Sequence, residues 1–271
     1  MSDLQIARSV QPRPIHDIAR QLGLKEHEFT AFGTTKAKVA LSSLERLTAQ
    51  PLGRYILVSA INPTPLGEGK TTTSIGLAMG LSRLGKRTAV TLRQPSLGPV
   101  FGIKGGGTGG GQAQVLPMED INLHLTGDSH AVAASHNLLS AFVDNHLFHG
   151  NDLGLDPARI TWPRTLGVSD RALRQLLTGE GEGQRSAQFV INEASEIMAV
   201  LALAADHADL RKRLGRILVG LKQSGSPVTA EELRCAGSMA VLLKEALLPN
   251  LVQTIEGTPA FVHTGPFGNI A

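Results

Sequence analysis

The segment TPLGEGKT, residues 64–71, restricts the possible fold more than any other stretch of this chain. The run YILVSAI before it, residues 55–61, is continuously apolar and predicts a strand buried on both faces. After it, residues 70–84 have the apolar spacing of a helix, which Gly85 is expected to end. A second short strand is expected over residues 87–92, which completes a βαβ unit. We therefore predict an α/β fold of the P-loop NTPase type, with a parallel sheet and flanking helices.

A glycine-rich loop between a strand and a helix is suited to binding phosphate. Gly67 and Gly69 let successive backbone N–H groups point at phosphate oxygens, and the following helix adds the positive end of its dipole. Lys70 can reach the β- and γ-phosphates of a nucleotide, and the Thr71 hydroxyl is placed to ligate Mg²⁺. The general motif begins with glycine, whereas this loop begins with Thr64. An ordinary glycine-rich turn is the alternative. The residues predicted to bind ATP are Thr64, Pro65, Leu66, Gly67, Glu68, Gly69, Lys70 and Thr71.

Two further features are candidates for binding an anion. Arg93 follows the second predicted strand, and open α/β sheets bind ligands beyond the carboxyl ends of their strands. Its guanidinium can clamp a phosphate or carboxylate, or it can form a surface ion pair, and the residues alone leave both open. The segment GIKGGGTGGG, residues 102–111, is either a flexible linker or a loop that approaches a ligand beside Lys104. Its apolar flanks favour the loop, because linkers are usually rich in serine.

Candidate metal ligands outside the loop are less specific. Glu119 and Asp120 follow a possible strand and could hold Mg²⁺ through water. Asp128 and His130 open a predicted helix downstream of the glycine segment, and Asp128 is a plausible N-cap. Five histidines lie close together in the sequence: His124, His130, His136, His146 and His149. Their spacing matches no recognised metal motif, which favours exposed polar positions on a helix.

Composition excludes several functional classes. Lys and Arg number 26 against 23 Asp and Glu, a net charge of only +3, and no basic run reaches five residues. This argues against a dedicated nucleic-acid surface. Cys235 is the only cysteine, so the chain can form neither an internal disulfide nor a cysteine-based metal site. The N-terminus lacks a signal-peptide core, and no apolar run approaches the roughly 18 residues of a membrane span. We expect a cytoplasmic protein with no membrane partner.

Long strings of residues resemble the formate–tetrahydrofolate ligases, also called formyltetrahydrofolate synthetases. The resemblance extends from the first predicted strand to the last residue. The matching strings are TPLGEGKTTTSIGLA (64–78), LGKR (84–87), PSLGPVFGIKGG (95–106), GGG (109–111), PMEDINLHLTGD (117–128), HNLL (136–139), VDNHL (143–147), PNLVQT (249–254) and TPAFVHTGPFGNIA (258–271).

The resemblance implies a magnesium-dependent ligase that phosphorylates formate with ATP. Formyl phosphate is then attacked by N10 of tetrahydrofolate, giving 10-formyltetrahydrofolate, ADP and phosphate. It also implies a homo-tetramer and a response to a monovalent cation, K⁺ or NH₄⁺. Carried over to this sequence, residues 64–71 are the ATP loop, Lys70 contacts the transferring phosphate and Arg93 holds formyl phosphate.

The chain departs from the family pattern in three ways. Gln94 replaces a glutamate, which removes a carboxylate from the site. Within the glycine segment, Gly107, Thr108 and Gln112 replace two alanines and a tyrosine. The family's chains are also about twice as long, and here the predicted strand at 259–263 is followed by no helix.

We therefore expect the N-terminal half of such a ligase. Residues 1–50 are the predicted helical lead-in, in which residues 15–22 and 36–47 have the apolar spacing of helices and Gly23 suits the end of the first. Residues 51–271 are the predicted P-loop core that binds ATP and formyl phosphate. One alternative is a catalytically impaired or inactive nucleotide-binding fragment. Another is a P-loop regulatory ATPase, against which residues 102–111 and 117–128 argue.

Overall fold

The computed structural model describes residues 1–62, 67–97, 107–179 and 184–265. The chain divides into two units. The first consists of Met1–Thr126 together with Leu248–Thr264, and the second includes Gly127–Leu247. The first unit is therefore discontinuous in sequence, and it contains the predicted ATP loop and Arg93.

The first unit contains one main sheet with helices around it. Its helices are α1 (Asp3–Ser9), α2 (Ile15–Leu22), α3 (Ser42–Leu47), α4 (Lys70–Arg83) and α5 (Met118–Asn122), with a 3₁₀ turn at Glu26–Glu28. Its strands are β1 (Phe29–Phe32), β2 (Lys36–Val39), β3 (Val90–Arg93), β4 (Gly109–Gly110), β5 (Ala113–Leu116), β13 (Asn250–Thr254) and β14 (Pro259–His263). The strand order is β1-β2-β13-β14-β3, and β5 pairs with both β13 and β4.

The α/β class is confirmed, but the prediction of a parallel sheet is wrong. In this sheet only β14 and β3 are parallel, among the strands that the structure describes. The pairs β1–β2 and β13–β14 are antiparallel, because connections of a few residues can only reverse the chain. The helix expected over residues 36–47 is also wrong in its first part, where β2 pairs with β13. Only Ser42–Leu47 of that range is helical.

Helices α2 and α4 cover opposite faces of the main sheet. The predicted helix at residues 15–22 is confirmed, and Gly23 ends it in the left-handed conformation with φ 79°. Its residues Ile15 and Ile18 are fully buried in a cluster with Leu251 of β13. On the other face, Ile75 of α4 belongs to a cluster with β3, β13 and β14. Each of these isoleucines contributes about 1.5–3 kcal/mol through burial.

The strand predicted at residues 55–61 is not formed. Residues 51–60 have no regular secondary structure, and Tyr55 and Ile61 are 81% and 100% exposed. A β-branched apolar run fits a pleated, buried surface rather than imposing a strand by itself. In the part of the chain that the structure describes, no strand pairs with this run, so the βαβ unit lacks its first strand.

The second unit is built around the long helix α6 (Asp128–Phe148). Its other helices are α7 (Glu196–Leu203), α8 (His207–Gly215) and α9 (Ala236–Leu242), with a 3₁₀ turn at Asn192–Ala194. Its strands are β6 (Leu155–Ile160), β7 (Arg164–Leu166), β8 (Leu176–Thr178), β9 (Arg185–Ala187), β10 (Phe189–Ile191), β11 (Leu218–Lys222) and β12 (Pro227–Thr229). They form a three-stranded sheet, β12-β11-β6, and the pairs β10–β7 and β8–β9.

The start of α6 differs slightly from expectation. Gly127 is the N-cap, with φ 92°, and Asp128 is the first helical residue rather than the cap. Across the described ranges of the chain, no helix has both the length and the apolar composition that a membrane crossing requires.

Candidate anion-binding site

The chain's path brings three segment ends to one edge of the main sheet. Helix α4 packs on the sheet and leads through residues 84–89 into β3. From this connection we infer that the first residue of α4 and the last residue of β3 lie at the same edge. Because β14 runs parallel to β3, its carboxyl end lies there too. We call this edge the carboxyl edge. It comprises the start of α4, Arg93–Ser96 at the end of β3, and His263–Thr264 at the end of β14.

The start of α4 has the backbone conformation that its glycines permit. Gly67 and Gly69 have φ of 90° and 77°, which residues with side chains rarely adopt, and Gly69 is the helix N-cap. Lys70 forms an ion pair with Glu68, and Thr71 follows in the first turn. Thr64, Pro65 and Leu66 lie outside the described residues. The structure therefore describes only the second half of the predicted ATP loop.

The ends of β3 and β14 are joined in register. Arg93 lies opposite His263, and the backbone N–H of Gln94 donates to the His263 carbonyl oxygen at 2.7 Å. Arg93 is half-buried, so its guanidinium is partly shielded from water. Shielding strengthens the attraction between a guanidinium and an anion. Arg93 is thus the last residue of β3, at the carboxyl end of the strand as the sequence predicts.

Three side chains at this edge are buried, and each has a polar atom without a partner in the part of the chain that the structure describes. Gln94, Ser96 and Thr264 are 6%, 1% and 5% exposed. In the described chain, the Gln94 Oε1, Ser96 Oγ and Thr264 Oγ1 atoms have no hydrogen-bond partner. A buried polar atom without a partner costs about 1–3 kcal/mol, and such atoms are uncommon in folded proteins. Their concentration at the ends of two adjacent strands makes this edge the candidate binding site.

The glycine segment approaches the chain closely at two described positions. A Cβ added at Gly107 would lie 2.8 Å from the Cβ of Pro95, at the carboxyl edge. Gly109 has φ 82°, and a Cβ there would overlap the carbonyl oxygen of Ala113. These glycines are therefore required by packing within the chain. Lys104 and the rest of residues 102–106 lie outside the described residues, so their contact with an anion stays a prediction.

Comparison with known protein families agrees with the resemblance in the sequence strings. The family model described as formate–tetrahydrofolate ligase matches residues 1–271. The chain belongs to the formate–tetrahydrofolate ligase family. Curated formate–tetrahydrofolate ligases from Roseiflexus sp. (strain RS-1), Saccharopolyspora erythraea and Methylobacillus flagellatus are 59%, 59% and 56% identical to it. Each alignment covers 100% of this chain but only 49%, 48% and 49% of the relative. The chain thus spans about half the length of these ligases.

The other candidate metal ligands of this family member have structural contacts. Glu119 forms an ion pair with Arg8, and Asp120 forms one with Lys36. Within the described residues, no group of three or more His, Cys, Asp or Glu side chains is arranged to hold a metal ion. The structure therefore gives no support to a protein-only metal centre.

His136 is a buried structural residue. Its Nδ1 lies 2.8 Å from Ser195 Oγ, and its Nε2 lies 2.8 Å from the carbonyl oxygen of Pro163. Its ring stacks on Trp162, with centroids 4.2 Å apart. These contacts pack α6 against the segments at residues 161–166 and 192–195.

Ser96, Thr264 and His263 are the residues of the candidate site that the sequence predictions missed. Arg93 was selected because open α/β sheets bind ligands beyond the carboxyl ends of their parallel strands. The same reasoning applies to β14, which is parallel to β3. The strand itself was predicted, at residues 259–263. What the sequence did not reveal is that β14 pairs with β3 in parallel, which places the two carboxyl ends side by side.

Proposed function

We propose that this chain forms the part of an ATP-dependent formate–tetrahydrofolate ligase that binds ATP and formyl phosphate. In this proposal formate is phosphorylated by ATP, and N10 of tetrahydrofolate attacks the formyl carbon to release phosphate. The products are 10-formyltetrahydrofolate, ADP and phosphate. The observation that carries the proposal is the carboxyl edge, where Arg93 lies with three buried side chains, each with a polar atom that has no hydrogen-bond partner among the described residues.

Each predicted site residue has a role in this scheme. Phosphoryl transfer depends mainly on positioning and on neutralising the charge of the transferring group. Arg93 neutralises the formyl phosphate, and Lys70 exchanges its ion pair with Glu68 for contact with the ATP phosphates. The backbone from Gly67 to Gly69 supplies N–H groups at the helix N-terminus. A P-loop type of nucleotide site, completed by residues 64–66, is part of the proposal.

A magnesium ion fits the residues at the start of α4. Mg²⁺ bound with nucleotides usually takes only one or two protein ligands, together with phosphate oxygens and waters. The single hydroxyl of Thr71 meets that requirement. Activation by K⁺ or NH₄⁺, a homo-tetramer and a cytoplasmic location are further parts of the proposal that follow from the family.

A second candidate function is nucleotide binding without ligation. The exposure of residues 55–61 favours it, because the segment leading into the ATP loop is not held in the sheet. We therefore expect the isolated 271-residue chain to bind ATP weakly. We also expect it to make little 10-formyltetrahydrofolate from formate, Mg-ATP and tetrahydrofolate. Rapid product formation by this chain alone would exclude the second candidate.

Calorimetric titration with ATP and with inorganic phosphate tests the site itself. Replacing Arg93 with Gln should weaken binding of both by tenfold or more, since a charge-assisted hydrogen bond is lost. The matched control is Arg87→Gln, which removes the same charge from an exposed position near the amino end of β3. Equal affinities for the wild type and Arg93→Gln would refute the proposed site.

A further inference from the structure

We propose that Ser96 and Thr264 are anion-binding residues whose hydroxyl groups donate hydrogen bonds to the phosphoryl oxygens of the anion that Arg93 holds. The inference rests on the proposed function and assigns two additional residues to the same site. It names the bound group as a phosphoryl group, whether carried by a nucleotide, an acyl phosphate or free phosphate.

Both hydroxyl groups are buried, and no described residue provides either of them with a hydrogen-bond partner. Ser96 is 1% exposed and Thr264 is 5% exposed, and neither hydroxyl has a hydrogen-bond partner within the described residues. A buried hydroxyl group in a protein interior normally has a hydrogen-bond partner. The Ser43 hydroxyl, for example, donates to the carbonyl oxygen of Ala40 at 2.8 Å. The two hydroxyls at the carboxyl edge are therefore available to a ligand.

The backbone around both residues is restrained. They follow adjacent parallel strands, whose axes are about 4.8 Å apart, and the Gln94 to His263 hydrogen bond ties those strand ends together at 2.7 Å. Pro95, directly before Ser96, packs against Gly107. Donors fixed in advance stabilise developing charge without having to reorganise when it forms.

The chemistry of the cluster suits an anion with several acceptor oxygens. Hydroxyl groups can donate, and they add no negative charge that would oppose an anion beside Arg93. The Gln94 side chain is also neutral, and its amide can present either its oxygen or its N–H₂ group. A phosphoryl group has enough oxygens to accept from both hydroxyls and from the guanidinium together.

Removing either hydroxyl should have opposite effects on stability and on binding. In the ligand-free chain, Ser96→Ala or Thr264→Val deletes an unsatisfied buried polar atom, which is neutral or stabilising. In the bound state the same substitution deletes a hydrogen bond to a charged group. A hydroxyl with a purely structural role would instead lower stability when removed.

The test combines thermal unfolding of the ligand-free chain with calorimetric titration by inorganic phosphate and by ATP. We expect Ser96→Ala and Thr264→Val to leave the unfolding temperature unchanged or raise it. We also expect each to weaken binding of both ligands by roughly tenfold to a hundredfold. The control, Ser43→Ala, removes a buried hydroxyl that has a partner, so it should lower the unfolding temperature and leave phosphate affinity unchanged.

Arg93→Gln separates failure of this inference from failure of the proposed function. If Arg93→Gln weakens phosphate binding but Ser96→Ala and Thr264→Val bind as the wild type does, only the inference is overturned. The inference is also overturned if both variants unfold at a lower temperature than the wild type, as Ser43→Ala should. It is likewise overturned if the variants lose affinity for ATP but not for inorganic phosphate. If the wild type binds neither inorganic phosphate nor ATP, the proposed function fails as well.

Discussion

Protonation of His136 should destabilise the second unit as the pH falls. A carbonyl oxygen can only accept, so Nε2 of His136 carries the proton donated to Pro163. Nδ1 is then the acceptor for the Ser195 hydroxyl. Both ring nitrogens are thus satisfied in the neutral form, and the charged form would have to be accommodated in a buried, stacked position.

The size of the effect follows from the shift in the pKa. Burial lowers the pKa of His136 to about 4 from its ordinary 6.5, although the hydrogen bond to the Pro163 carbonyl acts in the opposite direction. Well above pH 6.5 neither the folded nor the unfolded state binds the proton, so the full stability is present. Between pH 6.5 and 4 the unfolded chain binds a proton that the folded chain does not. The free energy of unfolding is therefore lowered by about 2 kcal/mol at pH 5, and the reduction approaches about 3.4 kcal/mol below pH 4.

Urea unfolding at pH 7.5 and pH 5.0 measures this cost. Trp162 is the only tryptophan in the chain and stacks on His136, so its fluorescence reports on this region. His136→Gln keeps a polar side chain that does not titrate, and it should lose about 2 kcal/mol less than the wild type between the two pH values. His207→Gln, at an exposed position, should behave like the wild type. If the wild type and His136→Gln show the same dependence on pH, the reasoning is refuted.

Three further predictions concern other parts of the chain. Gly109→Ala should lower the free energy of unfolding by about 3 kcal/mol or more, because its φ of 82° and the overlap described above leave no room for a side chain. The control is Gly80→Ala, at an exposed helical position where an added Cβ would meet nothing within 4 Å, and it should raise the free energy of unfolding by about 0.5–1 kcal/mol. If both substitutions raised the free energy of unfolding, the contact geometry at Gly109 would be contradicted. Hydrogen bonds, above all from the Arg46 side chain, hold the pKa of Glu28 down to about 2, so Glu28→Gln should be less stable than the wild type at pH 7. In acid titrations that difference should shrink below the ordinary pKa of 4.5 and vanish towards pH 2, and a constant difference would rule the ion pair out as its cause. Burial raises the pKa of the Cys235 thiol to about 11, so a thiol reagent at pH 8 should label the native chain far more slowly than the urea-unfolded chain; equal rates would contradict its burial.

Helices with local signals were predictable from the sequence, and several strands were not. The helices at residues 15–22 and from Lys70 onward are recognisable because their apolar spacing and terminal glycines lie within one short segment. In contrast, β2 pairs with β1 on one side and with the distant β13 on the other, where Lys38 lies opposite Asn250. Local periodicity contains no information about a partner so distant in sequence. The same limit explains the error at residues 55–61, where strand propensity found no neighbouring strand.

The residues of the candidate site also differ in whether the sequence alone could identify them. Arg93 could be selected because it follows a predicted strand in a recognisable string of residues. Ser96 and Thr264 are ordinary residue types in the sequence, and their importance depends on burial without a partner. That property exists only once β14 lies parallel to β3.

The discontinuous first unit has a consequence for the order of events during synthesis. Strands β1, β2 and β3 leave the ribosome early, but β13 and β14, which lie between β2 and β3 in the sheet, are made more than 150 residues after β3. The segment Gly127–Leu247 is continuous and can form its own contacts while those earlier strands wait. Closing the sheet therefore requires pairings between residues far apart in sequence, which makes it a slow step. Until β14 docks beside β3, the nascent chain has the strand that bears Arg93 but no site.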